Sequence, residues 1–456
     1  MKILIAQPPT NPHVWGGDFV FVIEPLWGEY LVAAVENNHD VRFLDLRLEG
    51  GVPTFEKVVE EWQPDVVAST AYVVDINTVR RMFRRAKELC PKVTTVVGGY
   101  APSLSPGDLC DKAVDWIVTG EGVFTFRDLV ETLDRGGDVR EVPGVSFMQD
   151  GLLRRGKSRP WPQHLDEHPL PQRKATAHVR HNYFDKWMKP TAMIRNSYSC
   201  PYRCEFCVLW PNTDGRYLAR SVEQFVEELA AIEEPYVMFS DDEALIHSER
   251  MLQMADRIEQ AGIKKQYFFM TRSDTVRRRA DVIERWAQIG LKRVLIGFES
   301  PRPKDLKEYN KAATVEDNDE CIRILHQNKL EINSMFVVDQ DYQKEDFEYL
   351  AKYVKDNGLE TPIYCILTPY PGTVTYEKHK FEIIVKDWDY WDLLHTVLPT
   401  KMPLREFYVE YAKLWGDLPA LQRGILKHRD ELPADEVIEN LRKLLATTRT
   451  QIPIVQ

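Results

Sequence analysis

The chain has 456 residues, of which 44% are hydrophobic, and a formal net charge of −11 at neutral pH. This length predicts two or three domains, each with a full hydrophobic core. The acidic balance gives no general attraction to nucleic acid, and no apolar run reaches the roughly 18 residues of a transmembrane helix. Residues 1–6 read as a buried strand rather than a signal peptide, so a cytoplasmic location is expected.

Short apolar strands alternate with helices in the first third of the chain. The expected strands lie at residues 2–6, 39–45, 65–70, 93–97 and 116–118, and the expected helices at 25–37 and 77–89. This alternation predicts an α/β domain with a doubly wound, Rossmann-like parallel sheet over residues 1–140. Ligands of such sheets bind at the carboxyl ends of the strands, which here precede loops at 7–12, 70–76, 98–103 and 119–123.

Prolines punctuate the next segment, residues 141–190. They stand in Val142-Pro-Gly144, Arg159-Pro-Trp-Pro162 and His168-Pro-Leu-Pro171. Because proline restricts φ and removes a backbone donor, it interrupts helices and sheets. We therefore expect an extended linker between two domains.

Three of the seven cysteines fall within eight residues. Cys200, Cys204 and Cys207 have the spacing C-x3-C-x2-C. Three thiolates on a short loop can bind three irons of a [4Fe–4S] cluster and leave the fourth iron open to a substrate. A structural zinc site would need a fourth ligand, usually from a second cysteine pair. A disulfide framework would need an oxidising compartment, which nothing in the sequence indicates.

This spacing, within Ser197-Tyr-Ser-Cys-Pro-Tyr-Arg-Cys-Glu-Phe-Cys207, resembles the signature of the radical S-adenosylmethionine (SAM) superfamily. The resemblance implies that the open iron chelates the amino and carboxylate groups of SAM. It also implies that the reduced cluster cleaves SAM to a 5′-deoxyadenosyl radical. An external electron donor of the flavodoxin or ferredoxin type would then be a partner.

The alternation of strands and helices resumes at residue 191. Strands are expected at 191–195, 235–240, 266–271, 293–298, 332–338 and 363–368. Helices are expected at 222–233, 248–261, 279–289, 315–328 and 345–356. Six βα units suit the partial (β/α)6 barrel that the resemblance implies for residues 191–384, with the site at the carboxyl ends of its strands.

Three of these strand ends match places where the radical SAM family binds SAM. Ser240 and Asp241 follow the second strand, where the family holds the SAM amino group. Arg272 follows the third strand, and its planar guanidinium could pair with the SAM carboxylate. Glu299, followed by Ser300, ends the fourth strand and resembles the family's ribose-binding acid.

The N-terminal part resembles the cobalamin-binding domain that precedes many radical SAM barrels. The resemblance rests on Gly98-Gly-Tyr-Ala-Pro102 and Val114-Asp-Trp-Ile-Val-Thr-Gly-Glu-Gly122, and Leu367-Thr-Pro-Tyr-Pro-Gly-Thr373 resembles a segment of cobalamin-dependent members. Glycines let backbone approach a bulky planar ligand closely, although ordinary turn glycines give the same pattern. The resemblance implies cobalamin contacts from Thr70, Gly98, Gly99, Tyr100, Gly120 and Glu121.

One motif of some cobalamin domains is missing. Domains of the methionine-synthase type carry D-x-H-x-x-G, whose histidine binds cobalt, and this sequence contains no such motif. No protein histidine is therefore expected beneath the cobalt. Tyr72 or Val73, after the third expected strand, are the residues we place there, and simple packing of both is an equal alternative.

The last segment, residues 385–456, is aromatic at first and then helical. Asp387-Trp-Asp-Tyr-Trp-Asp-Leu-Leu-His395, with the residues that follow, resembles the tail of the hopanoid C-methylases. Trp388, Tyr390 and Trp391 either line an apolar substrate pocket or pack the tail on the barrel. We expect this region to lie near the substrate.

These resemblances imply a cobalamin-dependent radical SAM C-methyltransferase that methylates an unactivated carbon of a small-molecule or lipid-like substrate. The family's scheme requires no side-chain acid or base, so no catalytic residue is predicted beyond the cluster ligands. A cobalamin-dependent cyclase or rearrangement enzyme remains an alternative. A methylthiotransferase would need three more cysteines in the N-terminal domain, where only Cys90 and Cys110 lie.

Overall fold

The computed structural model describes residues 1–11 and 21–415. Within them, a sheet of seven strands forms the N-terminal part, in the order β3-β1-β4-β5-β6-β7-β8. The strands are β1 Lys2–Gln7, β3 Asp40–Asp45, β4 Val66–Thr70, β5 Thr94–Gly98, β6 Trp116–Val118, β7 Val145–Gln149 and β8 Leu152–Arg155. β3, β1, β4, β5 and β6 are parallel, whereas β7 and β8 pair antiparallel at one edge.

Helices cover both faces of this sheet because successive strand residues point to opposite sides. Along β1, Ile3 and Ile5 belong to one core, while Leu4 and Ala6 belong to the other. One face is covered by helices Leu26–Val35 and Val123–Asp134, and the other by Gly51–Trp62 and Ile76–Leu89. The doubly wound Rossmann-like fold predicted from the sequence is confirmed.

Part of the segment expected as an extended linker is a hairpin. β7 and β8 add to the N-terminal sheet, and the turn between them places Asp150 and Gly151 at φ of 51° and 74°. No proline stands between Pro143 and Pro160, so the strands between them can pair. The linker prediction is therefore wrong over residues 145–155. Beyond the hairpin the chain runs through short 3₁₀ turns, and β9, Phe184–Asp185, pairs with β2, Phe21–Val22.

Six parallel strands form the second sheet, in sequential order, as the partial barrel predicted from the sequence requires. They are β10 Thr191–Ile194, β13 Tyr236–Phe239, β14 Gln266–Thr271, β15 Leu291–Glu299, β16 Glu331–Val338 and β17 Thr361–Ile366. A two-stranded ribbon, β11 Ser197–Tyr198 with β12 Leu218–Ala219, follows β10.

The helices between these strands pack on the outside of the barrel. The long ones are Val222–Ala231, Ser248–Gln260, Ala280–Ile289, Val315–Gln327 and Lys344–Asp356. Shorter ones are Tyr100–Leu104 in the N-terminal part and Leu209–Thr213, Ser273–Arg278, Pro303–Glu308 and Val374–His379 in the barrel. Ser221 Oγ accepts the backbone N–H of Gln224 at 3.2 Å and so caps the helix Val222–Ala231. None of the described helices combines the length and apolarity needed to cross a membrane.

Buried charges join the N-terminal domain to the barrel. Glu24 and Glu29 meet Arg173 and Arg180 of the connecting segment, and Arg173 also pairs with Glu228 on a barrel helix. Burial opposes ionisation of Glu24, but the two arginines outweigh it and lower its pKa. Burial, together with the neighbouring charge of Glu24, raises the pKa of Glu29 to about 9. This network holds the two parts in one orientation.

The aromatic tail connects the N-terminal domain to the barrel. Trp391 is 1% exposed and packs with Val385, Val397 and Leu398. Asn77 Nδ2 donates to Asp387 Oδ1 at 2.8 Å, which ties the tail to a helix of the N-terminal domain. The helix Leu404–Leu414 then packs on the barrel helix 344–356. The rest of the region predicted to be helical, from residue 416 on, lies outside the described residues.

Candidate active site

A cavity of about 460 Å³ lies between the carboxyl edge of the N-terminal sheet and the barrel, and we call it the chamber. One wall contains seven of the eight residues that the sequence analysis assigned to cobalamin: Thr70, Tyr72, Gly98, Gly99, Tyr100, Gly120 and Glu121. The opposite wall includes Met193, Arg195, Ser240 and Asp242 from barrel strand ends, and Leu209 just after the cysteine loop. The chamber is thus bordered by most of the residues assigned to cobalamin and by Ser240, one of the five residues assigned to SAM.

Glycine keeps the sheet side of the chamber open at two positions. Gly99 has a φ of +110°, and a Cβ there would lie 2.5 Å from Thr70 Oγ1. Gly120 has a φ of +73°, and apart from its own chain neighbours no atom of the described residues lies within 4 Å of the position of a Cβ. Both backbone conformations favour glycine. The bare backbone that results suits close approach of a large planar ring such as the corrin of cobalamin.

Three other residues assigned to cobalamin differ in their surroundings. Tyr72 stacks on Tyr100 with ring centroids 5.8 Å apart and remains 56% exposed. Val73 does not line the chamber and instead packs against two hydrophobic clusters, one of the N-terminal sheet and one of the aromatic tail. Glu121 accepts the backbone N–H of Val123 at 2.7 Å and so caps the helix 123–134. Of the pair proposed to lie beneath cobalt, only Tyr72 reaches the chamber.

His168 is a chamber residue that the sequence analysis did not find. It is 7% exposed, and its Nε2 lies 3.2 Å from Glu121 Oε1. The ring also packs edge-on against Phe124 at 5.0 Å. Its position in a proline-rich segment gave no signal, since only the folded chain brings that segment to the sheet edge.

The cysteine loop is held by contacts from the barrel. Cys204 is 7% exposed, and Arg272 Nη1 lies 3.7 Å from its Sγ. Trp210 Nε1 donates to the carbonyl oxygen of Cys204 at 3.0 Å, and the backbone N–H of Leu209 lies 3.5 Å from Cys207 Sγ. The Trp210 contact fixes the backbone. Arg272 places a cation beside the Cys204 sulfur and Leu209 an N–H donor beside the Cys207 sulfur, where each can stabilise thiolate charge.

The thiols themselves suit an iron–sulfur cluster. All three are free, and burial raises the pKa of Cys200 and of Cys207 to about 12. Without a metal the thiols of Cys200 and Cys207 stay protonated, and iron binding would release these protons. Within residues 1–11 and 21–415, no three potential ligands converge on a single ion. Such convergence is not needed when each cysteine binds a different iron of a cubic cluster.

Ser240 and Asp241, assigned to the SAM amino group, have different roles in the structure. Asp241 is fully buried and accepts hydrogen bonds from the backbone N–H groups of Asn196 (2.9 Å) and Ser197 (3.0 Å). The side chains of the same two residues also donate to it. Ser240 lines the chamber, and its Oγ has no hydrogen-bond partner among the described residues. Asp241 therefore anchors the loop, whereas Ser240 is available to a ligand.

Glu243 is a further candidate that the sequence analysis passed over. It is fully buried, and its Oε1 accepts from Thr271 Oγ1 at 2.5 Å. Its Oε2 has no partner in the described part of the chain, and burial raises its pKa to about 7. A buried carboxylate oxygen without a donor is costly, and an ammonium group bound beside it would remove that cost. The signal was present, since Glu243 ends the acidic run that begins at Asp241.

Each of the remaining SAM candidates has a hydrogen-bond partner in the structure. Glu299 is 7% exposed, has a φ of 63°, and accepts from Lys311 Nζ at 2.7 Å. Arg272 Nε donates to Asp274 Oδ1 at 2.8 Å. Ser300 Oγ donates to Asp305 Oδ2 at 2.6 Å, which uses its hydroxyl for local structure. Glu299 and Arg272 thus lie at neighbouring strand ends, beside the cysteine loop.

The fold and the site define a class of enzyme: a radical SAM barrel with a three-cysteine cluster loop, preceded by a cobalamin-type domain. Family profiles agree with this, since the B12 binding domain matches residues 12–130 and the Radical SAM superfamily matches residues 197–354. The hopanoid C-3 methylase of Methylococcus capsulatus is 31% identical over 437 residues, which cover 95% of this chain and 83% of that protein. The chain belongs to the family of cobalamin-dependent radical SAM methyltransferases, whose cofactors are a [4Fe–4S] cluster, SAM and cobalamin.

Two further comparisons mark the range of this similarity. The anaerobic magnesium-protoporphyrin IX monomethyl ester cyclase of Cereibacter sphaeroides is 23% identical over 418 residues, covering 88% of this chain and 67% of that protein. The solved structure of the methyltransferase TsrM from Kitasatospora setae, with cobalamin and [4Fe–4S] cluster bound, covers 98% of this chain and 99% of that chain. Its TM-score is 0.70 at 14% identity, which is a likeness of fold.

Proposed function

We propose that this enzyme is a C-methyltransferase that methylates an unactivated carbon of a small, lipid-like molecule. The observation that carries the proposal is the single chamber, which borders both the glycine edge of the N-terminal sheet and the end of the cysteine loop. When bound, the cofactors supply a hydrogen-abstracting radical on the barrel side and a methyl group on the sheet side. A substrate carbon in the chamber would lie within reach of both.

The chain's own residues are proposed to hold these groups as follows. Cys200, Cys204 and Cys207 bind the cluster, and Arg272 offsets the charge of the Cys204 thiolate. Glu243 and Ser240 receive the SAM amino group, because each has a polar atom without a partner in the described part of the chain. Glu299 receives the ribose hydroxyls while Lys311 holds its carboxylate in place. Asp241 and Ser300, whose oxygens are already used, are positioning residues.

On the opposite wall, the backbone around Gly98, Gly99 and Gly120 is proposed to border the corrin ring, with Thr70 and Tyr100 beside it. Tyr72 is proposed to lie beneath the cobalt, and no protein histidine is expected to bind the cobalt. Glu121 supports the loop by capping a helix. We retain residues 1–140 as the cobalamin-binding domain, 191–384 as the barrel and 385–456 as the tail region, and we extend the first domain to include the hairpin at 145–155.

The choice of substrate rests on the similarity to the hopanoid C-3 methylase and on the apolar side chains of the barrel wall. Met193, Met238 and Met270 line the chamber, and methionine adapts its shape to an apolar guest. We propose that an external flavodoxin- or ferredoxin-type protein supplies electrons, that no nucleic acid is bound, and that the enzyme works in the cytoplasm.

The test uses SAM labelled with carbon-13 in its methyl group. The proposal predicts a product in which the label is bonded to a carbon that was unsubstituted and aliphatic, as carbon–carbon coupling in an NMR spectrum would reveal. Label on oxygen, nitrogen or sulfur would contradict it. A product altered in its ring system but without label would instead support a cyclase, the alternative to which the similarity with the magnesium-protoporphyrin enzyme points.

A further inference from the structure

The barrel wall of the chamber presents a guanidinium group that has no acceptor in the described structure. Arg195 follows β10 directly and lines the chamber. Its side chain lies over two rings, 5.1 Å from the centroid of Tyr30 and 5.2 Å from that of Tyr198. Within residues 1–11 and 21–415 it makes no hydrogen bond and no ion pair through its side chain. Arg47, the other arginine of the chamber, is paired with Asp45.

The backbone of Arg195 is fixed on both sides. The N–H of Ser240 donates to the carbonyl oxygen of Ile194 at 2.8 Å. Arg220 Nη1 donates to the carbonyl oxygen of Arg195 itself at 3.2 Å. The next residue, Asn196, is held by Asp241. The side chain therefore leaves a rigid strand end, and the two tyrosine rings limit its motion further.

Only part of the guanidinium is covered. Nε is buried and has no hydrogen-bond partner in the part of the chain that the structure describes, whereas the two terminal nitrogens are less buried. Asp242 also lines the chamber, but its Oδ2 accepts the backbone N–H of Ser199 at 2.8 Å and it forms no ion pair with Arg195 in the described part of the chain. A planar fork of donors, held at the wall of the chamber, matches the oxygens of a carboxylate or phosphate.

We propose that Arg195 is an oxyanion receptor of the chamber: it binds a phosphate or carboxylate group of a molecule held there. Three sources of that chemistry exist under the proposed function, on which this inference rests. They are the phosphate of the cobalamin nucleotide, the carboxylate of SAM, and an anionic group of the substrate. In each case the bond is a charge-assisted hydrogen bond pair, and no covalent change is involved.

The test is equilibrium binding to the cluster-loaded protein, so its outcome does not depend on methyl transfer. Four proteins are compared: the wild type, Arg195→Met, Arg195→Lys and the control Arg42→Met. Arg42 also stacks on a ring, 4.2 Å from the centroid of Trp62, but lies on the exposed far edge of the N-terminal sheet. Ligands are compared in sets that isolate the anion: cobalamin and cobinamide phosphate against cobinamide, which lacks the phosphate, and SAM against decarboxylated SAM. A third arm adds inorganic phosphate or acetate to protein that holds both cofactors.

We expect Arg195→Met to weaken one anionic ligand about tenfold or more, which corresponds to about 1.4 kcal/mol, and to leave its anion-free counterpart unchanged. Loss confined to cobalamin or to SAM identifies a cofactor as the source. If Arg195→Met loses only the thermal stabilisation that phosphate or acetate gives the wild type, the source is an anionic group of the substrate. Arg195→Lys should retain part of the effect, and Arg42→Met should behave as the wild type.

Two results would overturn the proposal. One is that Arg195→Met binds every ligand within about twofold of the wild type. The other is that it loses anionic and anion-free ligands equally, which would mean that Arg195 only packs Tyr30 against Tyr198. If Arg195→Met does not fold, the same comparison is made with Arg195→Lys, and equal loss of both members of each pair again contradicts the proposal.

Discussion

The carboxylate of Asp241 accepts two hydrogen bonds from Ser197, one from the backbone N–H at 3.0 Å and one from Oγ at 2.8 Å. Through this contact the end of β13 holds the start of the cysteine loop. The same carboxylate accepts two more from Asn196, so it receives four hydrogen bonds in a fully buried place. The start of the loop that carries the proposed cluster ligands is thus positioned by a residue that need not contact the cluster.

Asp241→Ala should lower the free energy of unfolding of the apoprotein by about 3 kcal/mol, since it leaves several buried donors without an acceptor. A full cluster gives about four irons per chain after anaerobic reconstitution. Asp241→Ala should retain far fewer. Iron analysis and denaturant titration check both. Asp281→Ala, which removes an exposed carboxylate on a barrel helix, is the control. Full iron content in Asp241→Ala would show that the loop does not depend on this anchor.

Glu243→Gln should weaken SAM binding about tenfold, because an amide can present a donor where the SAM ammonium needs an acceptor. Cobalamin affinity should stay unchanged. Isothermal titration with SAM, on protein already loaded with the cluster, measures the effect. Glu249→Gln alters a carboxylate whose side chain is 79% exposed on the helix 248–260 and should bind SAM normally. Normal SAM affinity in Glu243→Gln would remove Glu243 from the proposed site.

Glu299→Gln tests the other end of the SAM site. The amide keeps one acceptor but loses the charge that pairs with the buried Lys311, so affinity for SAM should fall while affinity for methionine alone changes little. The reason is that methionine has no ribose. Competition binding with the two ligands separates the cases. An equal loss for both would place Glu299 near the amino-acid part or show that its effect is structural.

Glu29 predicts a pH dependence of the domain interface. Its folded pKa of about 9 lies above the ordinary value of 4.5, because it is buried beside Glu24. Between these values the folded protein holds a proton that the unfolded chain has lost. The free energy of unfolding should therefore fall as the pH rises, by up to about 1.4 kcal/mol per unit. The contribution is fully present below pH 4.5 and lost above pH 9.

The measurement is the urea midpoint of the apoprotein from pH 5 to 9, compared with that of Glu29→Gln. The amide is neutral at every pH and can still accept from Thr176, so the variant should lose less stability over this range. Glu60→Gln, an exposed position on the helix 51–62, should follow the wild type. Identical slopes for wild type and Glu29→Gln would mean that Glu29 is ionised in the folded protein, neutralised by Arg173 and Arg180.

The sequence is sufficient to predict the barrel because each strand is a short apolar run followed by an amphipathic helix. Phe239 and Phe269, for example, lie on predicted strands and pack on Trp286 of a predicted helix. The hairpin at 145–155 could not be predicted as easily. Polar and apolar residues alternate only weakly along its strands. Its position depends on pairing with β6, which lies well before it in the chain.

The candidate site shows the same limit at the level of single side chains. Asp241 and Glu243 are two residues apart in one acidic run. Asp241 accepts hydrogen bonds from Asn196 and Ser197, whereas one oxygen of Glu243 has no partner among the residues that the structure describes. Only long-range contacts distinguish them. The cysteines could be proposed as cluster ligands from their local spacing alone. The positions of His168 and Arg195 in the chamber, by contrast, depend on how the two parts meet.

The proposed chemistry also needs a substrate, which cells can reveal. Cells that produce the wild type or the Cys200→Ala/Cys204→Ala/Cys207→Ala variant would be grown with methionine carrying three methyl deuteriums. We expect a metabolite with all three deuteriums in one methyl group, present only with the wild type. Its appearance with the triple variant as well would assign it to another enzyme. The unlabelled precursor of that metabolite is then available for work with the purified protein.

The ratio of SAM products tests the central claim most directly. Purified, fully loaded enzyme would be supplied with the precursor, SAM and an electron donor, and the three products would be quantified by mass spectrometry. Radical C-methylation predicts one S-adenosylhomocysteine and one 5′-deoxyadenosine for each methylated product. 5′-Deoxyadenosine formed with product but without S-adenosylhomocysteine would contradict methyl transfer, and S-adenosylhomocysteine without 5′-deoxyadenosine would contradict a radical reaction.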